Sequence, residues 1–266
     1  MNRRGFLMLG ASAATCAFGA EDSAKRGKRV IGECLDALGG NAYLTMADRV
    51  ETGRAYSFYN EKLSGLSRAK IYTRHVDGLK PGEIPIRERQ GFGQKKDEDS
   101  AVLFMGKEGY EVTFRGARPL PEATMARYQE SYWHNFFYIL RHRYREPGMT
   151  FESQGTEVLV NEPVEVVDVT DSENRVTTVY IHFSTKFPIR QRFYRRDPLT
   201  KERREEVSEY SKFRDVGAGV QWPFAIRKER DKEKIYEIYS ESVVVNQNLK
   251  DSLFTLPEGI KMLKPA

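Results

Sequence analysis

Residues 176–196, VTTVYIHFSTKFPIRQRFYRR, and 206–230, EVSEYSKFRDVGAGVQWPFAIRKER, decide the fold. Both are rich in β-branched and aromatic residues, the types that fill a pleated, half-buried surface. Each is interrupted by a turn signal, Ser184-Thr185-Lys186 before Pro188 in the first and Gly217-Ala218-Gly219 in the second. Outward from them the text keeps one rhythm. Strands are expected at 156–160, 164–169, 176–183, 189–195, 206–216, 221–230, 235–241 and 243–246, at intervals of ~8–14 residues. No helix of crossover length separates them, which excludes a parallel doubly wound sheet and predicts an antiparallel one.

Toward the N-terminus, Val30, Ile31, Cys34, Leu35 and Leu38 recur at helical spacing and Gly39-Gly40 stops the run, which predicts a helix over 24–38. Strands follow at 50–59 and 67–75, then a charged, Pro- and Gly-containing loop over 81–100 around a short strand. A hairpin of 101–105 and 110–114 ends at Pro119-Leu120-Pro121. Met125, Tyr128, Tyr132, Trp133, Phe136, Phe137, Leu140 and Tyr144 form one broad aromatic stripe, and Pro147-Gly148 terminates it. They predict a single long helix over 123–145.

Composition narrows the function classes. The chain has 266 residues, 39% hydrophobic and 30% charged, and its aromatics (15 Phe, 14 Tyr, 2 Trp) argue against disorder. No apolar run reaches the ~18 residues of a spanning helix, so a polytopic helical membrane protein is excluded. The formal charge of +5 sets 43 basic against 38 acidic residues. The two signs alternate along 192–206 and 227–234, the pattern of a solvated sheet face that resists edge-to-edge aggregation. Nucleic acid is not an expected partner. Contact with lipid phosphates at a membrane surface stays open, because several of these arginines would sit near a sheet rim.

Residues 1–20, MNRRGFLMLGASAATCAFGA, resemble a twin-arginine export signal through Arg3, Arg4, Phe6 and Leu7, with a Sec signal as the alternative. The small residues Ala17 and Gly19 place a cleavage site after Gly19, leaving residues 20–266 as one domain. Ala13-Ala14-Thr15 before Cys16 is a poor lipidation box. Cys34 then stands alone, cannot form an internal disulfide, and is expected in the core.

His75, His134, His142 and His182 fall in different elements, with only His134 and His142 sharing a predicted helix, and two imidazoles without a third ligand make a poor metal site. There is no nucleophile elbow, phosphate-cradling glycine loop or Cys-x-x-Cys. The reading is a non-enzyme without cofactor or metal.

The order of several weak motifs carries a resemblance. Phe187-Pro188 is followed by Tyr210-Ser211-Lys212-Phe213-Arg214, then Val216-Gly217-Ala218-Gly219-Val220 and Trp222-Pro223. The chain closes with Val245-Asn246, Leu249, Asp251, Leu253-Phe254 and Leu256-Pro257. Over about residues 28–258 the chain resembles the LolA/LolB-like lipoprotein carriers. That resemblance implies a mainly β fold, a strongly curved antiparallel sheet forming an incomplete barrel, with helices covering the concave side. It also implies a periplasmic or envelope location and a lipid or lipoprotein acyl chain as partner, held by a monomer. An envelope sensor or scaffold acting through protein contacts is the alternative within the same fold. Trp133, Phe136, Phe137 and Leu140 of the helix and Val179, Ile181, Phe183, Trp222, Phe224 and Ile226 of the strands are the expected lining of an apolar crevice.

Overall fold

The computed structural model describes residues 21–77, 83–94, 98–197 and 200–265; the expected export signal over 1–19 lies outside them. Thirteen strands form one sheet. The first six are β1 (Asp48–Tyr59), β2 (Lys62–His75), β3 (Ile86–Gly93), β4 (Ser100–Met105), β5 (Glu108–Thr113) and β6 (Gly116–Pro119). The rest are β7 (Thr150–Leu159), β8 (Glu162–Thr170), β9 (Val176–His182), β10 (Pro188–Arg196), β11 (Arg203–Asp215), β12 (Gln221–Arg230) and β13 (Glu233–Val245). Their order is β6-β5-β4-β3-β2-β1-β13-β12-β11-β10-β9-β8-β7, and every strand-to-strand pairing is antiparallel.

This is two meanders joined where β1 pairs with β13. Their far ends, β6 and β7, are consecutive in the chain yet lie at opposite edges, so the sheet stays open. Bulges at Thr52/Gly53, Ser57/Phe58, Lys228/Glu229 and Ser153/Gly155 bend it. At Gly53 the bulge brings the backbone so close that a Cβ would meet the Tyr239 carbonyl oxygen at 2.3 Å. Both edges are covered. The C-terminal segment pairs with β6 through Ala117 N–H to the Lys261 carbonyl (2.9 Å) and Leu263 N–H to the Ala117 carbonyl (2.8 Å). On the other side α1 (Ser23–Ala37) lies against β7.

The segment from β6 to β7 straps the concave face. α3 (Glu122–His134) stacks Tyr128 on Phe104 of β4 at 3.7 Å, and further along His134 hydrogen-bonds Thr177 of β9 (2.9 Å) and stacks on Phe193 of β10. The expected unbroken helix 123–145 is divided at Asn135, which is extended (φ −72°, ψ 113°). Its side chain accepts hydrogen bonds from the Phe137 and Tyr138 amides and so starts a new turn, α4 (Phe136–Tyr138), which continues as a π-helical turn over Ile139–Arg143. Gln191 of β10 closes the break, accepting from Phe136 N–H (2.8 Å) and donating to the His134 carbonyl (3.2 Å).

Other boundaries also move. A short α2 (Asn41–Thr45) and strand β6 were not anticipated. β2 and β7 start several residues earlier than expected, and 235–241 with 243–246 is one strand, β13. Within the 81–100 loop lies β3, whose alternating burial marks a genuine sheet member.

The main core fills the space among α1, the strap and the concave face of β7–β12. Val30, Ile31, Cys34 and Leu38 meet Phe136, Leu140, Val167, Val179, Ile181 and Val220 there, all fully buried. Burial pushes the Cys34 thiol pKa up, so it stays a protonated apolar group. Each large side chain buried here is worth about 1.5–3 kcal/mol.

Two glycines of α1 provide a test of the helix–edge contact. A Cβ on Gly27 would sit 2.4 Å from the Phe151 carbonyl oxygen, whereas one on Gly32 meets nothing within 4 Å. Gly27→Ala is expected to destabilise by about 2 kcal/mol or more, because backbone must move apart. Gly32→Ala is expected to stabilise by about 0.5–1 kcal/mol through helix propensity alone. Urea unfolding of the two variants should therefore shift in opposite directions.

Candidate functional site

A cavity of about 460 Å³ lies beneath α3 on the concave face. Its walls come from β1, β2, β3, β10, β11, β12 and β13 and from the strap. Period-two alternation places Gln191 and Phe193, Ser208 and Tyr210, Trp222, Ile226, Lys228 and Arg230 on this face. From the strap come Arg127, Tyr128, Ser131, Tyr132, Asn135, Phe137 and Tyr138.

The cavity has two chemical ends. At one end Arg49, Thr73 and Glu88 form a cross-strand row through β1, β2 and β3. Arg49 Nη2 donates to Thr73 Oγ1 (3.1 Å), which donates to Glu88 Oε2 (3.4 Å), and the Tyr138 hydroxyl donates to the same carboxylate oxygen (3.2 Å). Gln90 donates to Glu88, and Ser240 donates to Glu51. Arg49 also lies 3.7 Å from the Glu51 carboxylate, and its guanidinium stacks at 3.9 Å from the centre of the Trp222 ring. All three charged groups are buried, with two carboxylates to one guanidinium. Burial raises the phenol pKa values of Tyr128, Tyr138, Tyr210 and Tyr236, which keeps these rings neutral.

The opposite end carries Glu206, Lys228, Arg230 and Tyr236. Lys228 pairs in register with Tyr236, which pairs with Ser57 of β1, eight residues beyond Arg49. At 3.3 Å per residue that is roughly 25 Å along the strand. Ile71, Ile226 and Ile238 line the cavity between these ends, and they pack with Ala55 and Ala69 as a separate apolar cluster.

Of the ten residues expected to line an apolar crevice, Phe137, Trp222 and Ile226 face this cavity. Phe136, Leu140, Val179, Ile181 and Phe224 are packed in the main core instead. Phe183 is 47% exposed at the end of β9, outside the concavity, because the strand ends at His182 and the chain turns there. Trp133 lies 4.8 Å from the guanidiniums of both Arg143 and Arg175 and anchors the strap. Those two arginines share buried Asp171 (2.8 and 2.7 Å). Burial opposes the charge on Asp171, but the hydrogen bonds from Arg143 and Arg175 outweigh it and lower its pKa to about 2.

The polar end was not foreseen. Arg49 and Glu51 lie on a strand whose apolar residue Val50 points the other way, and Glu88 and Gln90 fall within the stretch expected to be a loop around a short strand of unassigned bounds. The available signal was the alternation in Ile86-x-Glu88-x-Gln90, which charge disguised.

The histidines are redistributed. The break at Asn135 separates His134 from His142, and His142 Nε2 meets His75 Nδ1 of β2 at 2.8 Å instead. Among the described residues no cluster of three or more His, Cys, Asp or Glu could hold a metal ion. The His75–His142 bond pins the π-helical turn to the end of β2. Burial, with Arg141 nearby, lowers the His142 pKa from 6.5 to about 4, and Asp77 opposes this weakly. Burial, together with His142, Arg141 and Arg49, lowers His75 well below its usual value.

Both imidazoles are therefore neutral when folded at neutral pH, and below pH 6.5 the unfolded chain binds more protons. Stability is expected to be full above about pH 6.5 and to fall between about pH 6.5 and 4, by on the order of 3 kcal/mol from His142 alone. Urea titrations at stepped pH check this, with His142→Gln losing that part of the slope.

No family model matches the sequence, and no curated protein matches it significantly. Solved structures do. A DUF1329 family protein from Desulfovibrio piger superposes with a TM-score of 0.59 at 13% identity, covering 88% of this chain and 98% of that one. A putative outer membrane lipoprotein-sorting protein domain from Vibrio parahaemolyticus gives 0.57 at 12% identity, covering 87% and 97%. A LolA superfamily protein from Nitrosomonas europaea gives 0.51 at 13% identity, covering 84% and 96%. With its uninterrupted antiparallel order, its unpaired sheet ends and a helical strap over the concave face, the chain has the open half-barrel fold of the LolA superfamily.

Proposed function

We propose that the protein is an exported carrier of the cell envelope that holds the acyl chain of a lipid or lipoprotein in the cavity beneath α3, without covalent chemistry. The observation that carries this reading is the cavity itself. Its volume of about 460 Å³ falls within the ordinary range for small-molecule sites, and Ile71, Ile226 and Ile238 give it an apolar middle between two polar ends. Each methylene moved from water into such a lining contributes about 0.8 kcal/mol, so a twelve-carbon segment gives about 10 kcal/mol before the costs of immobilisation.

The fold supports the same reading. The name of the Vibrio parahaemolyticus structure describes a lipoprotein-sorting domain, and the two share their architecture. The Arg3-Arg4-x-Phe6-Leu7 start supports export, and no helix among the described residues is long and apolar enough to cross a membrane. Release requires only that the strap shift. Asn135 supplies a hinge, since the helix is already interrupted there and two side chains, Asn135 and Gln191, satisfy the freed backbone groups.

Native mass spectrometry of the protein isolated from its own envelope tests the proposal, the expected result being added mass that matches an acyl lipid. Ile226→Trp, which projects a larger ring into the cavity, is expected to lower lipid occupancy at least tenfold with the fold intact by circular dichroism. Recovery of lipid-free protein from every preparation would sink the idea.

A further inference from the structure

The charges along the cavity are unevenly distributed, and this bears on the kind of lipid it accepts. Resting on the carrier reading, we propose that the ligand is a single-chain amphiphile with an anionic headgroup, its tail along Ile71, Ile226 and Ile238 and its head held by Lys228 and Arg230.

Three observations lead there. First, the Lys228 end carries excess positive charge. Glu206 is the acid that lines this end, and two guanidiniums already share it, Arg195 at 2.7 Å and Arg230 at 2.8 Å. Second, a further cation at this end, Lys228, has no carboxylate partner among the described residues. Its ammonium has the Tyr236 ring 6.0 Å away as its neighbour. The Lys228 side chain is exposed and can reorient toward a ligand.

Third, the other end repels an anion. Glu51 and Glu88 are buried beside one guanidinium, Arg49, which is itself engaged with Thr73, Glu51 and the Trp222 face. An anionic head driven to that end would meet two carboxyl groups to one guanidinium in a low-dielectric pocket, whereas at the Lys228 end it meets more cations than acids. The field therefore orients the amphiphile, and the roughly 25 Å between the ends sets a tail length of about an acyl chain. A carboxylate, sulfate or phosphate head satisfies the same cations, and phosphate with its several acceptor oxygens can engage an arginine and a lysine together.

The test is a pair of lipids that share one palmitoyl chain and differ in the head. Binding of lysophosphatidylglycerol and of lysophosphatidylcholine to the purified protein is followed by isothermal titration calorimetry at two salt concentrations, with inorganic phosphate as a third probe. The anionic lipid is expected to bind about tenfold more tightly at low salt, and the gap to narrow at high salt. Lys228→Gln, a surface change that leaves folding intact, is expected to bring the anionic lipid toward the affinity of the zwitterionic one. Equal affinity for the two lipids overturns the headgroup assignment and leaves the carrier reading standing. Failure of both lipids to bind overturns both. Comparable binding of phosphate alone shows a free-anion site and overturns the amphiphile assignment.

Discussion

The structure depends on one topological constraint: the chain that leaves β6 must reach β7 at the opposite edge of the same sheet. A short turn cannot make that connection. The crossing segment has to span the concave face, and once it does so it occupies the space in which β6 and β7 would have to meet. An open sheet and a covered hollow are two consequences of one connection. At the β6 edge the C-terminal segment bonds the backbone of Ala117, and at the β7 edge α1 packs against the strand.

The strap serves as core over part of its length and as a cavity wall over another part, and Asn135 divides the two. Beyond it, Phe136, Ile139 and Leu140 are fully buried against α1 and the strands of the second meander. Before it, Tyr128, Ser131 and Tyr132 stand over a hollow that no side chain fills. The two ends of the strap are fastened differently. Ring stacking on Phe104 holds the first, while the buried Asp171–Arg143–Arg175 cluster under Trp133 holds the last. Breaking that ion cluster would leave a buried charge uncompensated, so the far end is the stiffer one.

Much of this was legible beforehand and some was not, for identifiable reasons. The antiparallel succession from residue 150 onward followed from turn signals and β-branched runs, and the observed strands overlap the expected ones in every case. The helical break was hidden because apolar periodicity runs straight through Asn135. The residue type itself, a good N-cap in mid-stripe, was the available clue. The polar end of the cavity was hidden for a deeper reason. Binary patterning assumes that buried faces are apolar, and at Arg49, Glu51, Glu88 and Gln191 the concave face is polar, each residue hydrogen-bonded to a partner distant in sequence, while the buried Arg49 Nε has none among the described residues.

The sequence alone determined most of the elements, the antiparallel succession of the second half, and the apolar material that α1 and the strap bring to the concave face. These follow from local periodicity and turn chemistry, which act over a few residues. Only the tertiary structure decided which apolar side chains are core and which face a cavity, because that depends on a gap between a helix and a sheet that meet across more than fifty residues of chain. It also decided the pairing of His75 with His142 and the division of the cavity into an acidic and a basic end. Interactions of that kind exist only after the sheet has curved and brought distant strands face to face.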